Sequence, residues 1–236
     1  MTTIDEKLQS VHQRIARACE GAGRDVNEVT LLAVSKAFRP EAVREAFSAG
    51  QSAFGENYIQ EAVEKIGLLR DLPLKWHCIG PIQSNKTRLV SAHFDWAHSI
   101  DRLKVAERLS EQRPAGRPPL QVCIQVNIDA GATKAGVAPK EVLPLARDVA
   151  QLPRISLRGL MTIPEPAPDF AGQKAVHLRA KALFDELREA GLALDTLSMG
   201  MTDDLEAAIA AGSTMVRVGT AIFGSRPSIR RSKEST

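Results

Sequence analysis

From residue 5 to about 20, apolar positions recur at Leu8, Val11, Ile15 and Ala18, a helical spacing, and Gly21 and Gly23 stop it. Beyond that helix the chain alternates. Short apolar runs of strand character lie at 30–35, 52–54, 74–79, 93–98, 120–127, 154–160, 194–197 and 214–218. Helical patterns fill the intervals near 40–49, 57–69, 83–91, 101–113, 139–151, 171–190 and 203–211. Strands that alternate with helices predict βαβ units and a parallel sheet. Eight such strands also suffice to close a barrel. The expected fold is therefore α/β, a single (β/α)8 barrel with an extra N-terminal helix; an open doubly wound sheet is the alternative, because periodicity does not report closure.

A length of 236 residues suits one such domain, expected over 1–226 with no second domain after the eighth strand. The proline-rich stretches at 113–119 and 163–168 are short and read as loops rather than linkers. The net charge of +3 invites a nucleic-acid reading, but Arg226, Arg230, Arg231 and Lys233 against Glu234 account for all of it. The body is neutral and has no basic stripe for a phosphate backbone, and 227–236 reads as a disordered basic tail. Cys19, Cys78 and Cys123 are odd in number and widely spaced, which suits a reducing compartment and gives no disulfide framework or zinc site. With no apolar leader or membrane-length run, the expectations are a cytoplasmic chain with no membrane and no metal.

In α/β barrels functional groups gather just past the carboxyl ends of the strands. The first strand ends Leu31-Leu-Ala-Val-Ser-Lys36, and alternation puts Leu32, Val34 and Lys36 on one face. If that face looks inward, Lys36 stands at the barrel mouth, where burial disfavours the ammonium form and suits imine chemistry with an aldehyde. Taken alone, a strand-end lysine reads as reaching solvent. Two glycine-bearing turns change its context. Ser198 and Gly200 follow strand 7, with Thr202 as the expected N-cap and Asp203 and Asp204 in the first helical turn. Gly219 and Thr220 follow strand 8, and the loops after strands 7 and 8 are where such barrels often bind phosphate. Arg217 shares the face of Gly219 inside an otherwise apolar strand and needs a partner, either the acidic Glu56 or the ring nitrogen of a cofactor.

Lysine, ring partner and phosphate cradle are the parts that a pyridoxal 5′-phosphate (PLP) site supplies. The sequence resembles the PLP homeostasis protein family, whose fold is similar to the barrel domain of alanine racemase. The matching stretches are Leu32-Ala-Val-Ser-Lys36, Phe54-Gly-Glu-Asn-Tyr58, Trp76-His-Cys-Ile-Gly80 with Gln83-Ser-Asn-Lys86, and Arg158-Gly-Leu-Met161. The longest is Leu197-Ser-Met-Gly-Met-Thr-Asp-Asp204, running on to Val216-Arg-Val-Gly-Thr-Ala-Ile-Phe-Gly224. The resemblance implies a Schiff base on Lys36, with Ser198, Gly219 and Thr220 on the phosphate and Met199 among the cofactor-binding residues. It also implies Arg217 at the pyridine nitrogen and Asn57 and His77 around the ring. The least family-like segment, 129–136, carries Lys134, whose role as a second PLP-reactive lysine is left open.

A PLP site does not make an enzyme. Racemisation needs a base on each face of the substrate carbon, and one lysine serves one face. The tyrosine that alanine racemases draw from a second domain has no counterpart expected here, since Tyr58, the single tyrosine, directly follows Asn57. A cation at the pyridine nitrogen also weakens the ring as an electron sink. The expectation is a monomeric carrier with no catalytic residues that buffers or delivers PLP, with PLP-dependent apo-enzymes as acceptors. The alternatives are a weak amino-acid racemase and, further off, a PLP-free Schiff-base lyase. Among the histidines, His93 and His98 are expected to be structural.

Overall fold

The computed structural model describes residues 2–129, 131 and 135–225. Lys134 and the basic segment 227–236 lie outside these. Helix α1 (Ile4–Gly21) opens the chain, capped by Thr3, whose hydroxyl accepts the Glu6 N–H while the Glu6 carboxylate returns to the Thr3 N–H. Strands and helices then alternate: β1 (Thr30–Val34), α2 (Pro40–Ser48), β2 (Ala53–Glu56), α3 (Ile59–Leu68), β3 (Lys75–Cys78), α4 (Thr87–His93), β4 (Trp96–Ile100) and α5 (Leu103–Gln112). They continue with β5 (Leu120–Val126), α6 (Pro139–Ala150), β6 (Ile155–Thr162), α7 (Phe170–Glu189), β7 (Thr196–Ser198), α8 (Leu205–Ala210), β8 (Met215–Val218) and α9 (Thr220–Phe223). All neighbouring strands run parallel, and β8 pairs with β1, so the sheet closes into a barrel in sequence order. Closure settles the fold against the open sheet.

Alternation along the strands splits the interior in two. Leu31, Ala33, Phe54, Trp76 and Val216 face outward into the large core beneath the helices. Leu32, Ala53 and Met215 turn inward and make a small apolar cluster with Ile79. The register that sets Leu32 opposite Arg217 brings the ends of β1 and β8 to the same mouth. Two of the boundaries that differ from the sequence pattern bear on the cleft. The β4 strand begins at Trp96, because His93 and Phe94 finish and cap α4. Helix α8 begins at Leu205 with Asp204, not Thr202, as its N-cap residue. Among the described residues no helix is long and apolar enough to cross a membrane.

Candidate cofactor site

At the carboxyl ends of the strands lies a cleft of about 240 Å³. Its walls include Val34, Lys36 and Phe38 after β1, Asn57 after β2, Ile79 after β3, and Ile163 after β6. Met201, Thr202 and Asp203 close the β7 side, and Arg217, Gly219, Thr220 and Gly224 the β8 side. Val34 and Lys36 thus share the inward face that the alternation of β1 predicts. Asn57 is held by close packing: a Cβ on Gly80 would lie 2.2 Å from the Asn57 carbonyl oxygen, so only glycine lets the chain after β3 pass beneath it. The Oδ1 of Asn57 is buried with no hydrogen-bond partner, an acceptor at the cleft wall that a bound polar group would satisfy.

After β8 the chain enters α9 at once, and its first N–H groups, at Thr220 and Ala221, have no intrahelical acceptor. Gly219 also serves packing, since an added Cβ would stand 3.2 Å from the Val34 carbonyl oxygen. Across the mouth, Gly200 takes φ +93°, and a Cβ there would meet Ala208 at 2.5 Å. Asp204 does more than complement a helix dipole. Its carboxylate accepts the Met201 N–H at 2.6 Å and meets Nε2 of His177 at 2.9 Å, which fixes the turn after β7.

The guanidinium of Arg217 forms the polar part of the floor. It donates to the Ser198 hydroxyl at 2.8 Å and to the Thr162 carbonyl at 2.8 Å. Burial lowers its pKa to about 10, so the cation persists at neutral pH. Neither of these partners is a carboxylate. Glu56, one of the two partners considered from sequence, instead bonds Lys65 at 2.6 Å and the Ser35 hydroxyl at 2.7 Å.

Five of the eight expected site residues, Lys36, Asn57, Arg217, Gly219 and Thr220, therefore share the cleft. The other three do not line it. The hydroxyl of Ser198 points into the barrel, between Arg217 and Nδ1 of His98 at 3.1 Å. Met199 turns its side chain outward into the core, as strand alternation requires of the residue after Ser198. His77 lies deeper, with Nδ1 3.0 Å from Nε2 of His98 and its ring stacked on Trp96 at 5.2 Å. His77, His98, Ser198 and Arg217 thus form one hydrogen-bonded chain beneath the cleft. His98 is expected from the sequence to be structural, at the edge of a strand whose interior it in fact occupies.

Tyr58 is 55% exposed and lies in a neighbouring groove with Gln60, Pro81, Gln83 and Lys86 that shares Asn57 with the cleft, and it does not line the cleft itself. Burial pushes the Cys78 and Cys123 thiols up to about 12, which leaves them poor nucleophiles at neutral pH.

The family model described as alanine racemase, N-terminal domain, matches residues 7–227. A pyridoxal phosphate homeostasis protein of Pseudomonas aeruginosa is 58% identical over 226 residues, covering 96% of this chain and 97% of that one. The chain belongs to the pyridoxal phosphate homeostasis protein family. Among solved structures, PipY of Synechococcus elongatus without PLP is 39% identical with a TM-score of 0.83. PipY with PLP bound is 37% identical with a TM-score of 0.81, and each pairing covers 94% of this chain and 100% of PipY. Family membership and the closed barrel agree with the resemblance read from the motifs.

Proposed function

We propose that this chain binds pyridoxal 5′-phosphate through Lys36 and works as a non-catalytic carrier that buffers or delivers it, acting on amino- and keto-acid balance indirectly. The observation that carries the reading is the convergence of Lys36, Asn57, Arg217, Gly219 and Thr220 on one cleft, with an unsatisfied acceptor on Asn57. The bound group supplies an aldehyde for an amine and a conjugated ring that can accept electrons. Lys36 provides the amine for a Schiff base. Thr220 and the N–H groups that open α9 hold the phosphate, with Gly219 beside them. Asn57 orients a ring substituent. Arg217 keeps a positive charge at the ring nitrogen, and Ser198 and His77 support it from below.

The same cleft favours carriage over catalysis. Tyr58 does not line it, so the tyrosine that alanine racemases use as second base has no counterpart there, and a racemase would have to use Asp203 opposite Lys36 instead. A carrier of this kind fits a monomeric cytoplasmic protein with apo-enzymes as acceptors and no nucleic-acid or membrane partner.

The test is the absorption spectrum of the protein with PLP, followed by borohydride reduction and peptide mapping. We expect a visible imine band that disappears on reduction, with the pyridoxyl label on Lys36 and lost in Lys36→Ala. No band, or a label spread over surface lysines while Lys36 stays unmodified, would overturn the reading. Rapid, Lys36-dependent α-proton exchange of alanine in deuterated water would instead favour a racemase.

A further inference from the structure

Lys36 stands on a tight turn. The Ser35 carbonyl accepts the Phe38 N–H at 3.1 Å, so Lys36 and Ala37 are its two central residues. Ala37 has φ +64°, a left-handed conformation that favours glycine and is strained for an alanine. Nothing in the local sequence selects it. The selection comes from outside the turn.

Behind the turn sits a buried ion pair. Lys65, on α3, is 3% exposed, and Glu56, at the end of β2, is fully buried. Lys65 Nζ bonds Glu56 Oε1 at 2.6 Å and donates to the Ser35 carbonyl at 2.9 Å. The Ser35 hydroxyl donates to the same Glu56 oxygen at 2.7 Å. On the other flank Glu61, one helical turn before Lys65, accepts the Ala37 N–H at 3.1 Å and lies 3.4 Å from Lys65 Nζ. Both residues that bracket Lys36 are therefore gripped by one charged cluster, through a carbonyl, a hydroxyl and an N–H.

We propose that Glu56, Lys65 and Glu61 are positioning residues that hold the Ser35–Phe38 turn in its left-handed form and so aim the Lys36 amine into the cleft. This inference rests on the cofactor reading given above. The cluster touches the backbone on either side of Lys36 and no residue of the cleft floor. It therefore governs how readily the amine meets an aldehyde rather than how the phosphate is held. Displacing a reacting group by an ångström slows its reaction by up to about a hundredfold, so loosening the turn has a measurable consequence.

The experiment measures the rate at which borohydride traps PLP on Lys36, by peptide mapping, in the wild type, Lys65→Met, Glu61→Ala and Glu61→Gln. Circular dichroism and melting curves run alongside. Lys65→Met and Glu61→Ala are expected to trap roughly tenfold more slowly while folded. Glu61→Gln is expected to recover most of the rate, because its amide oxygen still accepts the Ala37 N–H. The Glu61 side chain is 41% exposed, so its replacement tests the idea even if Lys65→Met unfolds. Folded variants that trap Lys36 at the wild-type rate would overturn the positioning role and leave the cofactor reading intact. A Glu61→Gln as slow as Glu61→Ala would also overturn it. Failure of the wild type itself to trap at Lys36 would overturn the cofactor reading first, and that result is distinct from the others.

Discussion

Two buried cations flank the cleft, and they are satisfied in different ways. Lys65 meets a fully buried carboxylate at 2.6 Å and a backbone carbonyl, so its charge is neutralised within the protein. Arg217, 4% exposed, has a hydroxyl and a carbonyl as hydrogen-bond partners, and among the described residues no carboxylate stands within ion-pair range of it. A neutralised buried pair serves the fold, because removing either member strands the other. A buried cation held only by neutral groups keeps a positive field for whatever enters beside it. The β2–α3 corner therefore reads as scaffold and the β7–β8 floor as binding surface, although both lie within reach of Lys36.

Acid separates the two regions most strongly. Burial pushes the His77 ring down to about 3, and burial, His77 and Arg217 together hold His98 well below the ordinary histidine range. In the unfolded chain both rings take up protons near 6.5. Below that pH the unfolded chain binds more protons than the barrel does, so stability falls as pH falls. For His77 the window runs from 6.5 to about 3, with a full cost of about 5 kcal/mol. Between about pH 6.5 and 4.5, where most carboxylates stay ionised, each such histidine costs about 1.4 kcal/mol per pH unit. His93, held down by partial burial and Arg117, adds in the same direction. Burial raises the Glu56 carboxyl despite Lys65, so the corner works in the opposite sense and gains stability as pH falls. Urea unfolding at pH 7, 6 and 5 should show a net fall that His77→Gln makes shallower. A flat profile would break the claim that the interior excludes protons.

Next in size is the ion pair itself. Lys65→Met leaves Glu56 buried without its cation, with an expected loss of about 3–5 kcal/mol. The double variant Glu56→Gln/Lys65→Met should recover most of that loss, since it leaves no buried charge behind. Denaturant midpoints with unchanged slopes would measure both. Additive single losses would mean that the two residues do not act as a pair.

How far these regions could be read beforehand follows from what each residue's neighbours in the chain reveal. Lys36 was legible only in company, because a strand-end lysine alone reads as reaching solvent and the glycine turns after β7 and β8 gave it a context, whereas Arg217 was legible because a charge interrupts an apolar strand. The closing strand contact between β8 and β1 was countable but not visible, as strand number is a property of the sequence and closure is not. Lys65 was illegible. On an amphipathic helix a lysine reads as solvent-facing, and the carboxylate that draws it inward belongs to another element. Ser198 had the right turn chemistry for a phosphate, yet its parity on β7 sends the hydroxyl into the barrel. His98 reads as structural at a strand edge, and its place beside Ser198 was hidden by a boundary, because the run from 93 to 98 looks continuous although α4 is capped within it.

The smallest expected effect on stability is the most informative about the floor. Arg217→Met removes two hydrogen bonds and leaves the Ser198 hydroxyl to His98 alone, a loss of about 1–3 kcal/mol for groups left under-satisfied. Against this, the variant also removes a cation whose burial is costly enough to lower its pKa to about 10, and methionine fills most of the vacated volume. The two nearly offset, and the expected net change is within about 1 kcal/mol, well below that of Lys65→Met. PLP retention should nonetheless drop, and the imine absorption should change its dependence on pH, because the positive charge beside the ring nitrogen is gone. Paired melting curves and PLP titrations of Arg217→Met and Lys65→Met decide the matter. If Arg217→Met destabilises the fold as much as Lys65→Met and leaves PLP binding and its pH profile unchanged, both cations are scaffold. The distinction between the corner and the floor would then fall.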